Sequence, residues 1–287
     1  MRYFDTHTHA ISTDTTKYPL SPLGGTRSEW SQHHAVDIDG LVRALDHAEV
    51  ERAALVHAST AYGFDNSYAA DALARFSDRF VGVCAVDFLS DSAVADLRYW
   101  IEERGFTGVR IRAADGTTKV PTPGGGLSDE RMTAVWAYVA EQHVPVCIQM
   151  HSKNTDQLLK VLAVHPELTI LLDHAGRPNA AGGPPYPLLD ELGRLARYDG
   201  VHLKITPPAL QRLQNEPGAD VTEVLRRLAQ IFGPRKLMWG SNFPASSGSL
   251  PELRDAIEAT LTWMDDEQRT DVMGGSAARI YDLANAR

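Results

Sequence analysis

The chain has 287 residues, 43% of them apolar and 23% charged, which is enough material for a large core without disulfide or metal staples. A formal net charge of −9 with no basic block argues against nucleic acid or an anionic membrane as the main partner. No apolar run nears the roughly 20 residues that span a bilayer. The opening MRYFDTHTHA lacks a basic-then-apolar leader pattern, and Cys84 and Cys147 both lie in apolar runs, so a reduced, cytoplasmic protein is expected.

Short apolar runs alternate with stretches whose apolar residues recur every three or four positions. The first predicted strand covers residues 2–7, followed by a long polar excursion over 10–36 in which Tyr18 and Trp30 are candidate pocket walls. A helix starts near Asp37 or Asp39, both good N-cap residues. Further strands are predicted at 52–58, 80–88, 106–112, 145–151, 168–174, 201–206 and 236–242, each followed by a helix. The segment GGSAARIYDL reads as a terminal helix packed on the outside. Eight strand-then-helix units predict an α/β fold, a (β/α)8 TIM barrel over residues 1–287 as one domain. The main rival, an open doubly wound sheet, usually carries a Gly-rich phosphate loop after its first strand, where this chain has THTHA.

In such barrels the chemistry gathers at the C-terminal strand ends. His7 and His9 end the first predicted strand and point the same way; His57, His151 and His174 end the second, fifth and sixth. Two imidazoles can converge on one ion, although an HxH pair alone is unspecific. Arg110 and Arg112 share a face at the end of the fourth strand, Arg177 follows the sixth, and Lys204 lies in the seventh. These side chains suit capture of carboxylates, or else pair with Asp87, Asp115 or Asp173. The Gly-rich stretch 113–128 reads as a lid.

The HxH pair, the DHAGRP segment, the late WGSNFP, KYPLSPLGG and HASTAYGFDNSYAADAL together resemble the amidohydrolase superfamily, in its amidohydrolase 2 branch of 2-pyrone-4,6-dicarboxylate lactonase and related lactonases. The resemblance spans essentially the whole chain. It implies a hydrolase opening a small carboxylate-bearing lactone or cyclic ester. Arg110, Arg112, Arg177, Lys204 and His57 would bind the anionic substrate, and His7, His9, His151, His174 and Asn242 would carry catalysis. It also implies a divalent metal, zinc before manganese, on His7, His9, His174 and His151. The branch's strand-eight aspartate is Asn242 here, a weak ligand and no base at neutral pH, which leaves metal-independent chemistry open and makes Asp5 or Asp87 a candidate replacement. Metal-dependent nonoxidative decarboxylation and a catalytically inactive ligand-binding barrel are the alternatives, and a homodimer is the default assembly to test.

Overall fold

The computed structural model describes residues 3–113 and 126–285. Most of the stretch read as a lid lies outside the described residues. Eight strands form one parallel sheet in sequential order: β1 (Tyr3–Thr8), β2 (Val50–Val56), β3 (Phe80–Cys84), β4 (Gly108–Arg112), β5 (Val146–Gln149), β6 (Ile170–Leu172), β7 (Val201–Ile205) and β8 (Leu237–Trp239). The strands are shorter than the apolar runs suggest, so His57, His151, His174 and Asn242 lie just past them. No helix among the described residues is long and apolar enough to cross a membrane.

The helices start where their sequence says they should. Asp37 accepts the Gly40 N–H at 2.7 Å at the start of Ile38–His47, and Ser249 with Glu252 forms a capping box before Leu250–Ala259. The helix Val221–Phe232 buries Val224, Leu225, Leu228 and Phe232, the stripe its periodicity predicts. Short helices lie in stretches read as connectors: Glu29–His33, Ser59–Tyr62, Asp266–Thr270, and Pro207–Gln214 with Thr206 as its N-cap residue.

The ring closes between β8 and β1 by a seam of mixed bonds. Thr8 and Phe243 form a parallel bridge, and the His9 N–H donates to the Phe243 carbonyl at 2.8 Å. Thr6 Oγ1 donates to the Trp239 carbonyl at 2.6 Å, and the Ser241 N–H donates to Asp5 Oδ1 at 2.9 Å. Gly240 permits this approach, since a Cβ there would stand 2.9 Å from His7 Cβ.

Inside the barrel, Phe4, Val56, Val81, Val83, Leu171 and Met238 pack with Ala277 and Tyr281 of the terminal helix Ser276–Asn285. This corrects the expectation that the segment packs outside. Tyr281 is fully buried and its ring stacks on Phe4 with centroids 5.6 Å apart, filling the lower end that such short strands leave open. Gly240→Ala is expected to push β8 away from His7. The urea midpoint should then fall by the equivalent of about 1–3 kcal/mol, the usual range for overpacking.

Candidate active site

The strand ends surround a cavity of about 390 Å³. His9, His57, His174, Arg110, Arg112, Arg177 and Asn242, all singled out from the sequence, line it. Trp30 lies there too, stacked on His9 with centroids 5.1 Å apart. Tyr18, the other proposed wall, instead packs edge-on to Tyr68 and donates its hydroxyl to Asp71 at 2.6 Å.

Beneath the cavity, Asp173 is the meeting point of the buried charges. Its Oδ2 accepts from Arg110 Nε at 2.7 Å, and its Oδ1 lies 3.3 Å from both Lys204 Nζ and His7 Nδ1. Burial alone would push this carboxyl upward, but Lys204, His7 and Arg110 hold it well below the usual carboxylate range. Arg110 also donates from Nη2 to Gln149 Oε1 at 2.7 Å, leaving other donors of its guanidinium for a ligand. Lys204 does not reach the cavity: it is fully buried, donating to Cys147 Sγ at 3.0 Å beside Asp173. Its expected contact with substrate is therefore corrected to a role through Asp173.

The imidazoles fall into two groups. His7, His9 and His174 stand together, with the His7 ring centroid 5.0 Å from that of His9 and 5.4 Å from that of His174. His9 Nδ1 pairs with the Val56 carbonyl at 2.8 Å and His174 Nδ1 with Thr206 Oγ1 at 2.7 Å. Because a carbonyl only accepts, His9 carries its proton on Nδ1 and presents Nε2 as an acceptor. Both ring nitrogens of His7 lack a well-aligned hydrogen bond. Burial lowers all three, His7 to about 4 and the other two well below their ordinary value, so they are neutral at pH 7. His151 is apart: its Nε2 lies 3.1 Å from Arg177 Nη1, and since guanidinium can only donate, that nitrogen accepts. His57 donates from Nε2 to the Gly63 carbonyl at 2.9 Å. Among the described residues, no group of three or more His, Cys, Asp or Glu side chains is arranged to hold an ion.

Positive charge dominates the lining. Arg112 is lowered to about 9 by burial and by the guanidiniums of Arg110 and Arg177, against the opposing pull of Asp173, so it is charged at neutral pH. Arg212, on the helix Pro207–Gln214, adds a fourth guanidinium, and no Asp or Glu is among the described lining residues. Neither proposed replacement base is in the lining. Asp5 is fully buried with Oδ1 accepting from the backbone N–H groups of His7 and Ser241, while Asp87 is exposed outside this cavity. His174, Arg177 and Asn242 sit at φ of 55°, 47° and 55°, a left-handed conformation uncommon outside glycine that concentrates at functional sites.

Sequence reasoning missed Arg212 and Gln149. The Thr–Pro start of the Arg212 helix was a readable N-terminal signal. Gln149 shares a strand face with Cys147, two residues before His151.

The amidohydrolase family profile matches residues 4–283. The chain belongs to that family. It is 27% identical to the 4-sulfomuconolactone hydrolase of Rhizobium radiobacter over 98% of this chain and 90% of the relative. It is 25% identical to the L-fucono-1,5-lactonase of Burkholderia ambifaria over 76% of each. A candidate 2-pyrone-4,6-dicarboxylic acid hydrolase from Pseudomonas putida has the same fold, with a TM-score of 0.79, 22% identity and 98% of both chains covered.

Two measurements check this amidohydrolase's site electrostatics. Asp173→Asn strips the partner from two buried cations, so the urea midpoint should fall by the equivalent of about 3–5 kcal/mol. The depressed imidazoles make the unfolded state the better proton binder between pH 6.5 and about 4. Stability should therefore fall as pH drops through that window. His57→Gln, which removes one such group, should give a shallower fall in melting temperature.

Proposed function

We propose that this amidohydrolase opens a small lactone or cyclic ester bearing at least one carboxylate. The observation that carries the reading is a cavity lined by Arg110, Arg112, Arg177 and Arg212 with no carboxylate among its described lining residues. Such a surface recruits an anion into a protein of net charge −9. Lactone-opening relatives at 27% and 25% identity point the same way.

In this reading Arg112 and Arg177 hold the substrate carboxylate, and Arg177 is steadied by His151. Arg110, fixed by Asp173 and Gln149, turns its remaining donors to the ester carbonyl and stabilises the oxyanion that forms there. Water adds to the carbonyl carbon while His174 Nε2, oriented by the Thr206 contact at Nδ1, takes its proton. As the ring C–O bond breaks, the same proton passes to the departing oxygen, giving a hydroxy acid. His9, held against Trp30, and the Asn242 amide align the water and carbonyl. His7 and Lys204 act through Asp173, and His57 forms part of the wall.

A zinc or manganese held by all four of His7, His9, His151 and His174 does not fit these residues as they stand. His151 Nε2 is engaged by a guanidinium, position 242 is an amide, and Arg110 and Lys204 already bring two cations to Asp173.

The test is a panel of carboxylated lactones with products followed by NMR. A ring-opened hydroxy acid retaining every substrate carbon is expected. Release of carbon dioxide would replace the reading with decarboxylation, and tight binding without turnover would make the barrel a ligand-binding protein. His174→Ala should lower kcat by at least about 100-fold, the low end for loss of a general base, with an unchanged circular dichroism spectrum.

A further inference from the structure

A second chamber of about 140 Å³ lies beside the cavity, at the ends of β3 and β4. Its apolar walls are Leu23, Phe64, Val86, Phe88, Leu89 and Ile111. Ser59, Arg110 and Arg112 line both spaces, so the two guanidiniums form the partition between a polar compartment and an apolar one. Phe64 is one of four large apolar side chains left exposed among the described residues, at 38%, and it faces this chamber. Among the described lining residues the acid of the chamber is Asp87, an exposed residue whose Oδ1 accepts the Leu89 N–H at 3.0 Å. Its charge disfavours a second carboxylate here and directs anionic groups to the arginine side.

We infer that this chamber is a subsite for an apolar arm of the substrate. The ligand is an anionic lactone whose carboxylate sits among the arginines while a phenyl-sized or short alkyl substituent passes the Arg110–Arg112 partition. A dry cavity of about 150 Å³ lined by Leu, Ile and Phe admits benzene, so the volume suits such a group. The polar cavity binds the charge and the chamber selects among charged molecules by what else they carry. This deepens the lactone-opening reading, on which it relies only for the identity of the reacting group.

The test therefore uses binding rather than turnover. Succinate, its methyl to n-butyl derivatives and phenylsuccinate are titrated into the full chain by calorimetry. The Kd should tighten about fourfold for each added methylene until the chamber is full, and phenylsuccinate should bind about 10- to 100-fold tighter than succinate. Leu89→Trp, which fills the chamber, should abolish the gradient and leave succinate binding unchanged. Phe64→Ala removes an exposed wall without touching the core, and should weaken the gradient independently. A flat series, a gradient that neither variant alters, or no binding by any member overturns the proposal. A gradient found in a chain that opens no lactone would uphold the subsite and reject the reaction class alone.

Discussion

The constraint on which the site depends is the burial of Asp173 between two cations. Taking an ion out of water costs several kcal/mol even after relaxation, and that loss is offset only by good geometry and opposite charge. Here one fully buried carboxylate faces the Arg110 guanidinium at 2.7 Å and the Lys204 ammonium at 3.3 Å. Asp5, also fully buried and within the field of Lys204, brings a second carboxylate to this group, so the positive lining of the cavity comes from Arg110, Arg112, Arg177 and Arg212 together. Arg110 cannot swing freely toward a ligand, because Asp173 and Gln149 fix two points of its planar fork. The remaining donors of Arg110 are thus presented to the cavity in one orientation.

The same burial explains the state of the imidazoles. Desolvation outweighs the attraction of Asp173 for His7, which stays neutral to about pH 4. Had these rings been protonated, they would add positive charge to a site already rich in it and lose their acceptor lone pairs. In the proposed reaction, neutral rings beside fixed guanidiniums would separate two tasks: arginine would carry the charge that holds and polarises, and histidine would accept the proton. Against the chain's net charge of −9, the arginine-lined mouth stands out electrostatically.

Much of this was legible in the sequence. Strands show as short apolar runs in any order of tertiary contacts, and the alternation with helices leaves few topologies. His9, His57 and His174 line the mouth as expected, because position along a barrel strand fixes which end a residue occupies, whereas His7 is fully buried against Asp173 outside the cavity lining. What a side chain does once there depends on partners far away in the chain. Lys204 and Arg110 look alike in the sequence, yet Cys147 and Asp173 draw Lys204 beneath the cavity, while Gln149 and Asp173 leave Arg110 in its wall. His151 resembles a ligand until Arg177 is seen against its Nε2. Trp30 and Tyr18 were indistinguishable as loop aromatics, and only the stack on His9 separates them. Nothing local in the sequence reveals that Tyr281 of the terminal helix reaches the barrel interior and stacks on Phe4.

Asn242 is the residue whose meaning changes most when the cavity is considered as a whole. Viewed alone, an amide in place of a carboxylate looks like lost catalytic power. In this cavity, a carboxylate at 242 would be the sole acid among the described lining residues and would compete with the substrate for the arginines. An amide keeps a hydrogen-bonding group at the same strained position, with Nδ2 donating to Ser246 Oγ at 3.0 Å, and adds no charge. Loss of the acid and accumulation of guanidiniums are then two sides of one electrostatic choice. A site that relies on arginine to bind an anion and polarise its ester gains from neutrality at 242, provided an uncharged imidazole such as His174 can take the proton.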